Sequence, residues 1–352
     1  MYITGLGTAT PPHSYTQAQC WEAFQAAEQF ARLDRRARST LQKVLLHDNG
    51  IRTRSLALDA LAEVFASDPD TLHRRFELHA PALAGAAALR ALRKANLHPK
   101  AIDAVIISTC TGYLCPGLTS YVGEILGLRP DVLALDLVGQ GCGAALPNLR
   151  VAEALLRAGD YGNVLSVCVE VCSAAFYLDN DPGVLISACL FGDGAGAVVL
   201  AARPVSEGRR VEWKAAGSLH NPDERGALQF EHKGGMLRNI LTPQVPQLAA
   251  RHAAIVLDEV LARQGMLRTH IDTWIWHAGG RKVIEALQEN LDLSAAEVCW
   301  SSRMLSKFGN LSSPSVYFAL QAALDGKARA GWWWMSSFGA GFSCHGALLN
   351  VG

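Results

Sequence analysis

Short apolar runs alternate with amphipathic stretches along most of this chain. Ala104–Thr109, Val164–Val171 and Gly194–Leu200 are compact, uninterrupted and largely β-branched or small. Runs this short are strands rather than core helices, and unbroken apolarity marks strands covered on both faces. Leu83–Lys94 instead repeats apolar residues at spacings of three and four, the period of a helix face. Ala144–Ala158, Pro246–Gln264, Lys282–Asn290 and Ser315–Asp325 read the same way, the last with Pro314 near its first turn, where proline is tolerated. Met1–Pro12 reads as a short strand and a Pro-rich turn. Val211–Leu219, Thr273–His277, Gly331–Ser337 and Gly346–Val351 are further strands, and the Gly/Asn/Asp-rich stretch up to Gly235 reads as irregular. The order strand, helix, strand, helix in each half predicts a layered α/β protein with buried sheets. The character restarts near Arg203–Arg210, which divides the chain into halves 1–205 and 206–352.

Composition narrows the class. The 352 residues suffice for two core-bearing halves. Half the residues are hydrophobic and 18% are charged, against about 25% in ordinary globular chains, which suits an enzyme with much buried surface, a subunit interface included. A formal net charge of zero gives no reason to expect a nucleic-acid partner. No apolar run approaches the roughly 20 residues of a membrane span. The N-terminus lacks the charged start, apolar core and cleavage site of a secretory signal. The nine cysteines are an odd count in a long chain, so free thiols in a reducing cytoplasm are expected. Cys110 and Cys115 are five apart, Cys168 and Cys172 four apart, and no CxxC pair occurs, so no metal site is expected.

One cysteine stands out. Cys142 lies in Gly139-Gln140-Gly141-Cys142-Gly143, between the apolar run Val132–Val138 and the helical stretch from Ala144. At a strand-to-helix turn, free backbone N–H groups and the positive helix end favour a thiolate. His277 ends an apolar strand and precedes Ala278-Gly279-Gly280, which places an imidazole beside approachable backbone. Asn310 sits in Gly309-Asn310-Leu311-Ser312-Ser313, just before a helix. Taken singly, a strand-end histidine and a turn asparagine are ordinary structural residues.

Taken together, Gly-Gln-Gly-Cys-Gly, His-Ala-Gly-Gly, Phe-Gly-Asn-Leu-Ser-Ser-Pro and Leu190-Phe-Gly-Asp-Gly-Ala-Gly-Ala197 resemble the type III polyketide synthases of the thiolase superfamily, which are chalcone synthase-like. Bacterial alkylpyrone and alkylresorcinol synthases are the members most similar in kind. The resemblance implies a duplicated thiolase fold in five α-β-α-β-α layers, assembled as a homodimer. It implies Cys142 as the acyl-carrying nucleophile, with His277 as its ion-pair partner. His277 and Asn310 together would hold the thioester oxygen and the enolate left when malonyl-CoA loses CO₂. Acyl-CoA and malonyl-CoA are then substrates, no metal or organic cofactor is needed, and an acyl carrier protein is the other source of starter. A papain-like protease also uses Cys, His and Asn, but its Cys-Gly-Ser-Cys-Trp segment is absent. A β-ketoacyl-carrier-protein synthase III would show Ala-Ala-Cys and His-Gln-Ala-Asn segments. A catalytically silent scaffold on the same fold is the remaining alternative, with a complete triad against it.

The same resemblance assigns the pocket. Phe191 matches the first of two gating phenylalanines, and Asn239 stands where the second would be. Cys172, Ala174 and Ala175 are small and leave room beside the sulfur. Cys110, Thr111 and Cys115 belong to a loop between the pocket and the dimer contact, and Cys115 would reach the neighbouring subunit. Ser312 lies where ring closure is decided. Gly339 and Gly341 match the loop shaping the cyclisation cavity, with Ala340 in place of a proline. Arg52, Arg54 and Lys282 would meet the phosphates of CoA. The loss of the second phenylalanine and the small wall residues point away from an aromatic starter. A fatty acyl starter, cyclised to an alkylpyrone or alkylresorcinol, is expected.

Overall fold

The computed structural model describes residues 1–204 and 208–352; the expected boundary between 205 and 206 lies outside them. Nine strands form one sheet in the order Ile271–Trp276, Gly331–Gly339, Ser343–Val351, Val211–His220, Tyr2–Ala9, Gly194–Ala201, Asn163–Glu170, Ala104–Ser108, Leu133–Leu137. The first four come from the C-terminal half and the other five from the N-terminal half. The joint between the two sets is slight: Tyr2 and Ile3 pair with Glu212 and Val211. So short a joint leaves each set free to twist around its own helices.

Three apolar cores separate the layers. The long helix Pro69–Lys94 and the helix Leu118–Leu126 pack on the outer face of the N-terminal strands. Helices Ala145–Ala158 and Ser315–Asp325 fill the space between the two sets of strands. Helices Val245–Arg263 and Arg281–Leu291 cover the outer face of the C-terminal strands. The result is helix, sheet, helix, sheet, helix. The contact between helix Pro69–Lys94 and strand Tyr2–Ala9 depends on small residues: a Cβ at Gly7 would lie 2.4 Å from the Ala87 carbonyl oxygen.

Two elements depart from the sequence reading. The helix expected over Leu83–Lys94 starts at Pro69, capped by Asp68, and runs through Pro81. The stretch expected to be irregular contains a hairpin, Leu228–Lys233 with Met236–Leu241, turning at Gly234 and Gly235. Both glycines have positive φ, +60° and +78°, as a tight hairpin turn requires. The N-terminal segment adds a fourth, smaller core, built from helices Gln17–Ala26 and Arg35–Leu46 and the turn Leu61–Phe65. Among the described residues, no helix is long and apolar enough to cross a membrane, and no cluster of side chains could hold a metal ion.

Candidate active site

Cys142 sits in the single turn Gly141–Gly143 between strand Leu133–Leu137 and helix Ala145–Ala158. It is 9% exposed. No side chain caps this helix, and in the turn before it the Gly143 and Ala144 N–H groups donate to the Gln140 and Gly141 carbonyls. The flanking glycines are needed for packing: a Cβ at Gly143 would meet the Gly339 nitrogen at 3.1 Å, and one at Gly141 would meet Ala340 at the same distance. A loop of the C-terminal half thus lies directly on the nucleophile turn. Burial pushes the Cys142 thiol up to about 12, with the Glu170 charge adding to it; the Ser312 hydroxyl and the local backbone pull the other way. Burial thus favours a resting thiol, in opposition to the helix end, which favours the thiolate.

His277 follows strand Ile271–Trp276, its N–H donating to the Ser336 carbonyl at 2.8 Å. It is 3% exposed, and burial lowers it to about 4, so it rests neutral. Its ring lies against Phe338, next to the stacked pair Trp274 and Trp276. Its Nδ1 has no partner. Asn310 is 4% exposed and locked at both ends: Nδ2 donates to the Gly279 carbonyl at 3.0 Å, and Oδ1 accepts from the Ser312 N–H at 2.8 Å. One amide hydrogen of Asn310 remains for a ligand.

The three expected residues are joined by short steps. Ser312 donates its hydroxyl to the Cys142 sulfur at 3.2 Å, its backbone holds Asn310, and Asn310 holds Gly279, two residues beyond His277. Burial of both groups favours a neutral pair over the expected ion pair, and the sulfur's hydrogen-bond partner is Ser312. Gly279 is the tightest of these links, since a Cβ there would lie 3.3 Å from His277 Nε2. Gly279→Ala is expected to slow CO₂ release from malonyl-CoA about 10-fold by displacing that nitrogen, with the fold retained. An unchanged rate would show that Nε2 is not aimed at the reacting oxygen.

The sequence reading missed Glu170. This carboxyl ends strand Asn163–Glu170, is fully buried, and collects donors from Thr109, Cys110, Thr111, Ser312 and Ser313, the shortest at 2.6 Å from Ser313. Burial raises its pKa, against the pull of Ser313 and the Cys110 backbone. The signal was present in the chain: an acidic residue closing an apolar strand is costly unless partnered. Asp193 of the Phe-Gly-Asp-Gly turn is a second buried carboxyl. It accepts from the Ala57 and Ser173 N–H groups and the Ser173 hydroxyl, tying the N-terminal segment to the pocket wall.

His345 lies under the nucleophile turn, its Nδ1 2.8 Å from Ser218 Oγ, which also accepts from Arg150. Burial first, then Arg150 and His220, lower it to about 4. An unfolded histidine titrates near 6.5. Between those values the unfolded chain holds the extra proton, so this group's contribution to stability is lost as pH falls from about 6.5 towards 4. Glu170 and Asp193, both raised, act with the opposite sign. Unfolding of His345→Gln, followed by denaturant titration at several pH values, should therefore depend less on pH across that window, by up to one proton. Equal slopes would contradict the buried neutral assignment.

A cavity of about 950 Å³ of empty space, its open mouth included, is lined by Cys142, by Val184, Ser187 and Ala188 of the helix Pro182–Leu190 and by residues of the N-terminal segment. Most of its lining surface is apolar. With this geometry in hand, similarity to known proteins is decisive. Residues 9–215 match the family model described as FAE1/Type III polyketide synthase-like protein, and residues 217–351 match the chalcone and stilbene synthase C-terminal domain. The chain belongs to the type III polyketide synthase family. It is 31% identical to a 3,5-dihydroxyphenylacetyl-CoA synthase of Streptomyces toyocaensis, over 92% of this chain and 82% of that one. It is also 31% identical to the alpha-pyrone synthesis polyketide synthase-like Pks18 of Mycobacterium tuberculosis, over 99% of this chain and 91% of that one. The crystal structure of PKS-I from the brown alga Ectocarpus siliculosus superposes with a TM-score of 0.90 at 24% identity, covering 99% of this chain and 97% of that one. The duplicated thiolase fold and a condensing acyltransferase activity follow.

In this polyketide synthase, Cys110, Thr111, Cys172, Ala175, Phe191, Asn239 and Ser312 all line the cavity with Cys142. Asn239 is buried and accepts from the Ser187 hydroxyl at 3.0 Å. Cys115 is exposed and does not line it. Gly339 and Gly341 flank Ala340 in the chain; Ala340 lines the cavity and the two glycines do not. Arg54 requires a correction. Rather than standing at the rim to meet phosphate, it is 4% exposed, with Nε donating to Gln17 and Nη1 to the Ala188 and Phe191 carbonyls. The carbonyls left over at the end of helix Pro182–Leu190 draw this cation inward. Arg52 and Lys282 are exposed.

Proposed function

We propose that this type III polyketide synthase loads a fatty acyl group from acyl-CoA onto Cys142. It then extends the chain by repeated condensation with malonyl-CoA and closes it to an alkylpyrone or alkylresorcinol. The apolar cavity continuous with Cys142 carries this reading, because an alkyl chain gains roughly 0.8 kcal/mol per methylene withdrawn from water. The relative named for alpha-pyrone synthesis agrees with it.

In the loading step the Cys142 sulfur bonds to the acyl carbon, the CoA thiolate leaves, and the thiol proton passes to His277. A neutral imidazole can accept it, and such contacts tighten when substrate binds. In the extension step malonyl-CoA loses CO₂ and its electron pair moves into the thioester. The resulting enolate oxygen takes hydrogen bonds from His277 Nε2 and the free amide hydrogen of Asn310, each worth a few kcal/mol at such a site. The enolate carbon then attacks the acyl group on Cys142, releasing the sulfur. Exposed Arg52 and Lys282 suit the CoA phosphates. No cofactor takes part in these steps. The strand Leu133–Leu137 ends the sheet; Val138, which follows it, and Tyr113, in the loop after the neighbouring strand Ala104–Ser108, are 64% and 70% exposed. An open strand edge flanked by large apolar side chains supports a homodimer formed there. The nine free cysteines suit a reducing compartment such as the cytoplasm.

The test is product analysis after incubation with octanoyl- or palmitoyl-CoA and isotopically labelled malonyl-CoA. Products carrying two or three labelled units support iterative extension. One unit would indicate a single-condensation enzyme, and products from aromatic acyl-CoA alone would rule out the fatty acyl starter.

A further inference from the structure

The far end of the cavity is not built by the duplicated layers. Its wall there comes from the N-terminal segment: Cys20, Ala23 and Phe24 of helix Gln17–Ala26, and Leu61, Val64 and Phe65 of the turn Leu61–Phe65. Phe24 and Phe65 also belong to the fourth apolar core, so the cavity penetrates that core. Phe176, from the wall beside Ala175, meets them. The three rings pack on one another with centroids 5.2, 5.8 and 6.2 Å apart, two of the pairs edge to face. All three rings are buried and all three line the cavity. The one cation in that wall, Arg54, is engaged by Gln17 and two carbonyls.

We propose that the Phe24–Phe65–Phe176 cluster and Ala23 form a distal subsite for the terminal methylenes of the starter, and that the rings set the longest chain accepted. The proposal rests on the fatty acyl reading and deepens it. An alkyl end needs only apolar, close-packed walls, which this subsite offers. Each methylene buried there raises kcat/KM roughly fourfold, the equivalent of about 0.8 kcal/mol. A methylene that meets the rings forfeits the gain by overpacking. Removing a ring opens space, and enlarging Ala23 closes it.

The experiment measures kcat/KM for a ladder of saturated acyl-CoAs from butyryl to stearoyl, with malonyl-CoA, for the wild type, Phe24→Ala, Phe65→Ala and Ala23→Phe. Decarboxylation of malonyl-CoA alone reports whether each variant keeps its catalytic centre. The optimum should move about two or more carbons longer in the Phe→Ala variants and shorter in Ala23→Phe. A wild-type optimum that stays in place in every variant that retains decarboxylation would overturn the subsite while leaving the fatty acyl reading intact. A wild type that turns over no member of the ladder would overturn both. Should the cavity-forming variants fail to fold, Ala23→Phe decides alone.

Discussion

Cys142→Ala is expected to remove acyl loading and polyketide formation, by roughly 10⁴–10⁶-fold, the scale of losing a covalent nucleophile. The residue sits where the pocket, the uncapped helix end and the Ser312 hydroxyl converge, and no other described cysteine has that setting. Cys110 lies in the same cavity and 3.5 Å from Ser312, but burial and the Glu170 charge hold its thiol well above the usual range. It is not expected to substitute. CO₂ release from malonyl-CoA should survive the substitution, because His277 and Asn310 are untouched. Loss of both activities would assign Cys142 to the architecture of the site rather than to covalent chemistry. Substantial turnover in the variant would move the nucleophile elsewhere.

His277→Ala should cost about 10²–10³-fold in decarboxylation, the usual price of deleting one preorganised donor to a developing oxyanion. The pH behaviour separates this account from a preformed ion pair. With the imidazole at about 4 and the thiol at about 12, both groups are neutral across the working range. Turnover should therefore hold down to about pH 5 and fall only as His277 protonates near 4. Alkylation of Cys142 by iodoacetamide, which requires thiolate, should keep rising with pH beyond 8. A plateau in alkylation above about pH 6 would mean that Cys142 and His277 exchange their proton at rest. In that case the buried neutral pair described above would be wrong.

Much of the architecture was legible because buried strands and amphipathic helices leave unmistakable periods. Strands Ala104–Ser108 and Gly194–Ala201 and helix Ser315–Asp325 fall where their patterns place them. The hairpin Leu228–Lys233 with Met236–Leu241 was hidden because its apolar residues follow no clean alternation and are only half-buried, although Gly234-Gly235 was a usable turn signal. The chemistry followed the same division. Cys142, His277 and Asn310 are local events, each at the end of an element, and glycines mark the loops around them. Glu170 and the Phe24–Phe65–Phe176 wall are assembled from segments far apart in the chain, and no local spacing reports such meetings. Arg54 was misplaced for a related reason. An arginine near a chain turn looks exposed until the helix carbonyls that draw it inward are known.

The measurement that bears most directly on the central claim is peptide-mapped mass spectrometry of the enzyme after brief exposure to palmitoyl-CoA, with labelled malonyl-CoA then added. The account predicts a palmitoyl thioester on the peptide bearing Cys142, replaced on extension by adducts or released products carrying more than one labelled unit. An acyl group found on any other residue, or an unmodified Cys142 in an enzyme that still forms product, would contradict it.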